Sequence, residues 1–170
     1  MSHDNQFKIG DKVVYPSHGV GEIKNITILD FAGIPTQVYV ILFIEKKMTL
    51  HIPLQKALAL RAVVSSDALE LAYAALRQKP KCLNKIGTKK NQELETKLKS
   101  GDLIQLAEVV RDLYKPKGLN KTKSYSEGMF FASALSKLSL EASIIENLSN
   151  DDIIAKIEDI LDNSLMTVAV

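Results

Sequence analysis

At 170 residues the chain holds one ordinary domain or two small ones, and 46% hydrophobic with 25% charged residues is the balance of a folded protein rather than a disordered one. A single cysteine, Cys82, excludes an internal disulfide and a cysteine-cluster zinc site. The net charge of +2 hides an uneven distribution: Lys79 to Lys99 carries seven lysines against two glutamates, whereas the segment from Ser124 onward carries eight acidic residues and two lysines.

The start, MSHDNQFKIG, has no apolar signal core, and no apolar run is expected to reach membrane-spanning length. A cytoplasmic protein with no membrane partner is the simplest expectation. The first sixty residues then read as strands. DKVVYPSHGVGEIKNITI has short β-branched runs broken by the turn-rich group Pro16-Ser17-His18-Gly19. TQVYVILFI suits a buried strand, and Glu45-Lys46-Lys47 a polar turn. MTLHIP alternates, with Met48, Leu50 and Ile52 facing one way and Thr49 and His51 the other, and Pro53 ends the ladder because it has no N–H to donate. Four or five short strands with tight turns predict a small, strongly bent sheet or barrel.

From about Ser65 the period becomes helical. Ser66 or Asp67 can cap a helix with Leu69, Ala72, Tyr73 and Leu76 inside, stopped by Pro80. Thr88 is a candidate N-cap for a second helix through Lys99, with Leu94 and Leu98 on its inner face. After Ser100-Gly101-Asp102, LIQLAEVVRDLY puts Leu103, Leu106, Val110 and Leu113 on one stripe. Ser124 followed by Glu127 fits a capping box, opening one helix or two across SYSEGMFFASALSKLSLEASIIENL. NDDIIAKIEDIL supplies a last helix, and the tail DNSLMTVAV is expected to be loose.

No Walker loop, dinucleotide-binding glycine pattern or metal-ligand spacing appears. His51 lacks a nucleophile or carboxylate at a useful spacing, His18 reads as a turn residue, and Cys82 has no evident partner histidine. No enzyme, cofactor or small-molecule substrate is expected. The lysine cluster has two competing readings. One is a solvated helix and linker. The other is a phosphate-contacting surface, whose affinity falls with salt as counterions are released. The run straddles a helix start, where free N–H groups also favour phosphate, and Lys115, Lys117, Lys121 and Lys123 form a second group that could converge with it.

FKIGDKVVYPSHGVGEI, MTLHIP and SGDLIQLAEVVRDLY, in this order, resemble the CarD/CdnL family of bacterial transcription regulators, from about Phe7 to past Leu140. The resemblance implies an α+β chain of two domains: a Tudor/SH3-like β-barrel over residues 1–63 that binds the β subunit of RNA polymerase, and an all-α domain over residues 64–170. The helical domain is expected to contact promoter DNA weakly, through phosphates, and to stabilise the open complex. The polymerase-binding residues carried over are Met48, Thr49, Leu50, His51, Ile52 and Pro53, with histidine at a position where the family often has a basic residue. The DNA-binding residues are Lys85, Ile86, Gly87, Thr88, Lys89 and Lys90. Where family members commonly show Trp-Ser-Arg-Arg, this chain has Gly87-Thr88-Lys89-Lys90, so its basic pair survives without the family's aromatic wedge. Ile86 is a candidate aliphatic substitute. The rival reading is a polymerase-docking adaptor that does not engage DNA productively.

Overall fold

The structure, a computed structural model, describes residues 6–81, 87–117 and 124–168. It divides into two compact units, Met1–Val63 and Val64–Val170.

The first unit is one antiparallel sheet. Its strands are β1 (Lys12–Tyr15), β2 (Gly19–Phe31), β3 (Ile34–Phe43), β4 (Met48–Pro53) and β5 (Arg61–Ala62), with a short 3-10 helix at Leu54–Ala59. The order β4-β3-β2-β1-β5 leaves β4 and β5 at the two edges. The barrel expectation is therefore corrected: among the described residues the sheet is open. Closure would need a ladder between the edges, but β5 has only two residues and Pro53 ends β4.

Neither are all the strands short. β2 and β3 form a long hairpin whose two-residue turn, Ala32-Gly33, has both φ values positive, at 56° and 83°. That is the turn whose twist matches the flanking strands, and the Asp30 carboxylate accepts from Gly33 N at 2.6 Å. Toward the tip Ile28 and Ile34 are exposed, so hydrophobic alternation does not mark the strand ends. The buried positions lie at the other end, where Val13, Ile23, Tyr39, Ile41, Phe43 and Ile52 pack with Phe7, Ala57 and Leu60.

The second unit contains α1 (Ser66–Arg77), α2 (Thr88–Ser100), α3 (Leu103–Leu113), α4 (Tyr125–Glu146) and α5 (Asn150–Val168). The predicted inner faces of α1, α2 and α3 are all buried, together with Ala134, Leu138 and Ala142 of α4 and Ile153, Ile157 and Leu161 of α5. The cap of α1 is Ser65, whose hydroxyl accepts from Ala68 N, one residue before the expected positions. Gly101 closes α2 at φ +70° and Asp102 opens α3 by accepting from Ile104 N at 2.7 Å, so two adjacent residues turn the chain.

Two expectations about the later helices change. The tail is helical through Val168: Asp162 accepts from Tyr114 Oη at 2.8 Å, and Thr167 Oγ1 donates to Asn163 O at 2.9 Å. Helix α4 is a single helix of 22 residues, long and apolar enough by length and composition to cross a membrane. In this fold its inner face is core. Glu141, buried within that stretch, accepts from Val64 N at 3.2 Å, and buried Lys137 donates to Leu98 O at 3.3 Å. These groups tie α4 to α2 and to the chain just ahead of α1 by hydrogen bonds.

Two glycines make opposite predictions for one substitution. A Cβ on Gly21 would sit 2.6 Å from Ile41 Cγ2 and 3.1 Å from Phe43 Cδ1, whereas a Cβ on Gly128 meets nothing within 4 Å. Gly21→Ala is expected to destabilise by about 1–3 kcal/mol through overpacking. Gly128→Ala, inside α4, is expected to stabilise by up to about 1 kcal/mol. Urea midpoints of the two variants against the parent check both signs.

Candidate functional site

Edge strand β4 carries the first set of predicted residues. It pairs with β3 alone, in the register Val38↔Pro53, Val40↔His51 and Leu42↔Thr49. Its other edge is open among the described residues, and an open edge can pair with an incoming strand. Thr49 and His51 are exposed on the outer face. Met48 and Leu50 are half-buried against the sheet's core, and Ile52 is buried. Thr49 and His51 can therefore meet a partner with their side chains, and Ile52 supports the strand from below.

The start of α2 carries part of the second set; Lys85 and Ile86 lie outside the described residues, as does Cys82. Gly87, not Thr88, is the N-cap, and no side chain caps the helix. Thr88 is the first helical residue. The reason is backbone conformation: Gly87 has φ +73° and ψ −130°, a combination that L side chains rarely adopt. Nothing lies within 4 Å of where its Cβ would be, so space does not forbid a side chain there. Strain does. The tryptophan that the resemblance implies at this position cannot be placed on this backbone without cost.

Lys89 and Lys90 differ sharply. Lys89 is exposed and has no carboxylate partner among the described residues. Lys90 reaches Glu127 in the first turn of α4, Nζ to Oε1 2.5 Å, and both side chains are only about one-fifth exposed. Lys115, just beyond α3, approaches the other oxygen of Glu127 at 3.8 Å. The two lysine groups do converge, then, and a carboxylate stands between them. Further along α2, Lys97 pairs with Glu108 of α3 at 2.8 Å, and Lys99 with Glu95 at 2.6 Å. An open groove of about 760 Å³ between α2 and α3 runs past Lys89, Thr96, Lys97, Gln105 and Glu108.

The lysines favour the ionised form of their partners. A hydrogen bond from Lys97, with the charges of Lys97, Lys81 and Arg111 behind it, holds the Glu108 carboxyl below the usual range against the opposing effect of burial. Lys90 does the same for Glu127, helped by the Ser124 backbone N–H and by Lys115.

A buried ion pair anchors the approach to this surface. Arg111, with 1% of its side chain exposed, donates Nε to Asp112 at 2.7 Å and Nη1 to Ala75 O at 3.1 Å and to Gln78 Oε1 at 3.4 Å. Asp112 also accepts from Lys81 N at 2.9 Å, which pins the chain at the beginning of the lysine run to the last turn of α3. None of Glu108, Arg111, Asp112 or Glu127 was singled out as part of a site from sequence. Their partners lie 11 to 37 residues away, except for the adjacent Arg111–Asp112 pair, and only the capping-box spacing of Glu127 was a local signal.

Residues 7–64 match the CarD-like/TRCF RID domain family, and residues 72–158 match the CarD C-terminal domain family. The chain belongs to the CarD/CdnL family of bacterial transcription regulators. It is also 32% identical over 149 residues to a Bacillus subtilis (strain 168) protein described as "Putative transcription factor YdeB", a similarity covering 86% of this chain and 97% of that one. The family is of the transcription-factor type and not an enzyme family.

The lowered carboxylates give a pH prediction. Glu108 has a folded value below its unfolded one, near 4.3, so its stabilising contribution is complete above about pH 4.5 and is lost as pH falls through the depressed value. Glu108→Gln is expected to lower the melting temperature at pH 7 and to converge with the parent as pH falls through the depressed value. Melting curves offset equally across the whole acid range would contradict this origin of the stabilisation.

Proposed function

We propose that this chain docks on the β subunit of RNA polymerase through a Tudor-like β unit and meets promoter DNA with its helical unit, in the bacterial cytoplasm. The observation that carries the reading is the presence of both family domains in one chain, the first of them of the type that interacts with RNA polymerase. The open edge of β4 supports the docking half, since strand addition uses backbone groups and leaves specificity to exposed side chains such as Thr49 and His51.

The uncapped start of α2 supports the DNA half. Its first N–H groups, the helix dipole and exposed Lys89 all favour a phosphate at one place. Recognition of this kind is largely blind to base sequence. Gly87 puts no apolar wedge against an unstacked base, so stabilisation of an open promoter through that position is modest. The adaptor reading draws its support from the same glycine and from the pairing of Lys90 with Glu127. A footprint of polymerase on promoter DNA, with and without the protein, separates the two: added protection at the upstream edge of the bubble supports DNA engagement, and polymerase binding without it supports the adaptor.

Two substitutions test the halves separately. His51→Glu is expected to weaken binding to the isolated polymerase β subunit by at least about fivefold, the ~1 kcal/mol that separates a contact residue from a bystander. Unchanged affinity removes His51 from the surface. Lys89→Ala is expected to lower the slope of log affinity for DNA against log salt by about one unit, equally for different sequences. A parental slope would make Lys89 part of a merely solvated face.

A further inference from the structure

We propose that Glu127 is an internal stand-in for a phosphate group, occupying the cation pair Lys90 and Lys115 and thereby setting how weakly the helical unit holds nucleic acid. This rests on the reading of that unit as a DNA-contacting module. Three elements meet at the carboxylate: α2 contributes Lys90 at 2.5 Å, the residue two beyond α3 contributes Lys115 at 3.8 Å, and Glu127 itself lies in the first turn of α4. Lysine ammonium groups brought together from two elements of the chain suit a singly charged oxyanion, and a DNA phosphodiester carries the same single charge as the carboxylate that fills the place.

The junction is reachable. The side chains of Lys90, Lys115 and Glu127 are 21%, 29% and 20% exposed, enclosed enough to hold a defined geometry and open enough for a phosphate oxygen to approach. The exchange also costs Glu127 little. Its carboxylate accepts from Ser124 N at 3.2 Å while its own N–H donates to Ser124 Oγ at 3.2 Å, so it keeps the capping box when Lys90 turns to a phosphate. Glu127 therefore has two roles that one substitution separates. Glutamine at this position can still close the capping box, but it carries no charge to hold Lys90.

Weak intrinsic affinity has a use in a tethered module. Binding to one partner raises the local concentration at the second site, so a phosphate contact too weak to hold free DNA becomes effective only on the assembled complex. Glu127 confines the module to that regime.

The test uses the full chain and a fluorescently labelled mixed-sequence DNA duplex, with anisotropy read across a salt series for the parent, Glu127→Gln, Lys90→Gln, the double variant and Lys89→Ala. Glu127→Gln is expected to bind on the order of tenfold tighter at low salt, with a slope steeper by about 0.9 as Lys90 gains a phosphate. Lys90→Gln alone is expected to stay close to the parent, and the double variant to return to the parental slope. A parental or flatter slope for Glu127→Gln, while Lys89→Ala still flattens its own, overturns the proposal and leaves the DNA reading standing. If neither variant changes the slope, the DNA reading falls with it. Should Glu127→Gln fail to melt cooperatively, Lys90→Gln decides alone: a loss of a full unit of slope shows Lys90 already committed to DNA and overturns the proposal.

Discussion

The helical unit is organised around a charge it cannot discard. Arg111 is among the largest fully buried side chains, and a guanidinium remains protonated wherever it is placed. Enclosing it requires fixed partners, and each of these fixes something else. Ala75 O and Gln78 Oε1 are at the end of α1, so the guanidinium sets how that end meets α3. Asp112 neutralises the charge and at the same time accepts from Lys81 N. Loss of one member of such a pair commonly costs about 3–5 kcal/mol, because the survivor stays buried and uncompensated. The place where the lysine run enters the fold is thus coupled to the most strongly constrained interaction in its core.

From that anchored start, the lysines lead into a surface whose charge is smaller than its count. Lys90, Lys97 and Lys99 each hold a carboxylate, on Glu127, Glu108 and Glu95. The exposed Lys99–Glu95 pair contributes little, as surface pairs generally do. The other two join different helices and are about one-fifth exposed, so they contribute to packing α2 against α3 and α4. Some lysines of the run are structural, and Lys89 is left facing outward. A solvated face and a phosphate surface are therefore not exclusive descriptions. They apply to different lysines on the same helix.

Local periodicity made most of the elements legible. Leu69, Ala72, Tyr73 and Leu76 announce the inner face of α1, as Leu103, Leu106, Val110 and Leu113 do for α3, and the Ser124–Glu127 capping box lies where its spacing puts it. The alternation of MTLHIP gave the two faces of β4. What escaped was set by distant or conformational terms. The far ends of β2 and β3 carry exposed isoleucines, so only their mutual register holds them in the sheet. The end of α5 is tied by Asp162 to the Tyr114 hydroxyl, 48 residues away. The pairing of Lys90 with Glu127 spans 37 residues, and no short-range pattern encodes it.

Gly87 shows a different limit, one of backbone rather than side chain. Aligning motifs compares residue types and treats each position as the same place in space. Here the glycine has φ +73° and ψ −130°, so the departure from the family pattern is a turn that tryptophan could occupy only with strain. That turn leaves the first N–H groups of α2 without a side-chain cap. A position where the resemblance implies an aromatic contact is, on the proposed reading, better suited in this chain to an anion. On the proposed reading, the balance of the DNA contact moves from stacking, which tolerates salt, toward phosphate attraction, which does not. Dependence on the polymerase tether follows from that shift, because a screened, short-range attraction acts only where the DNA is already held close.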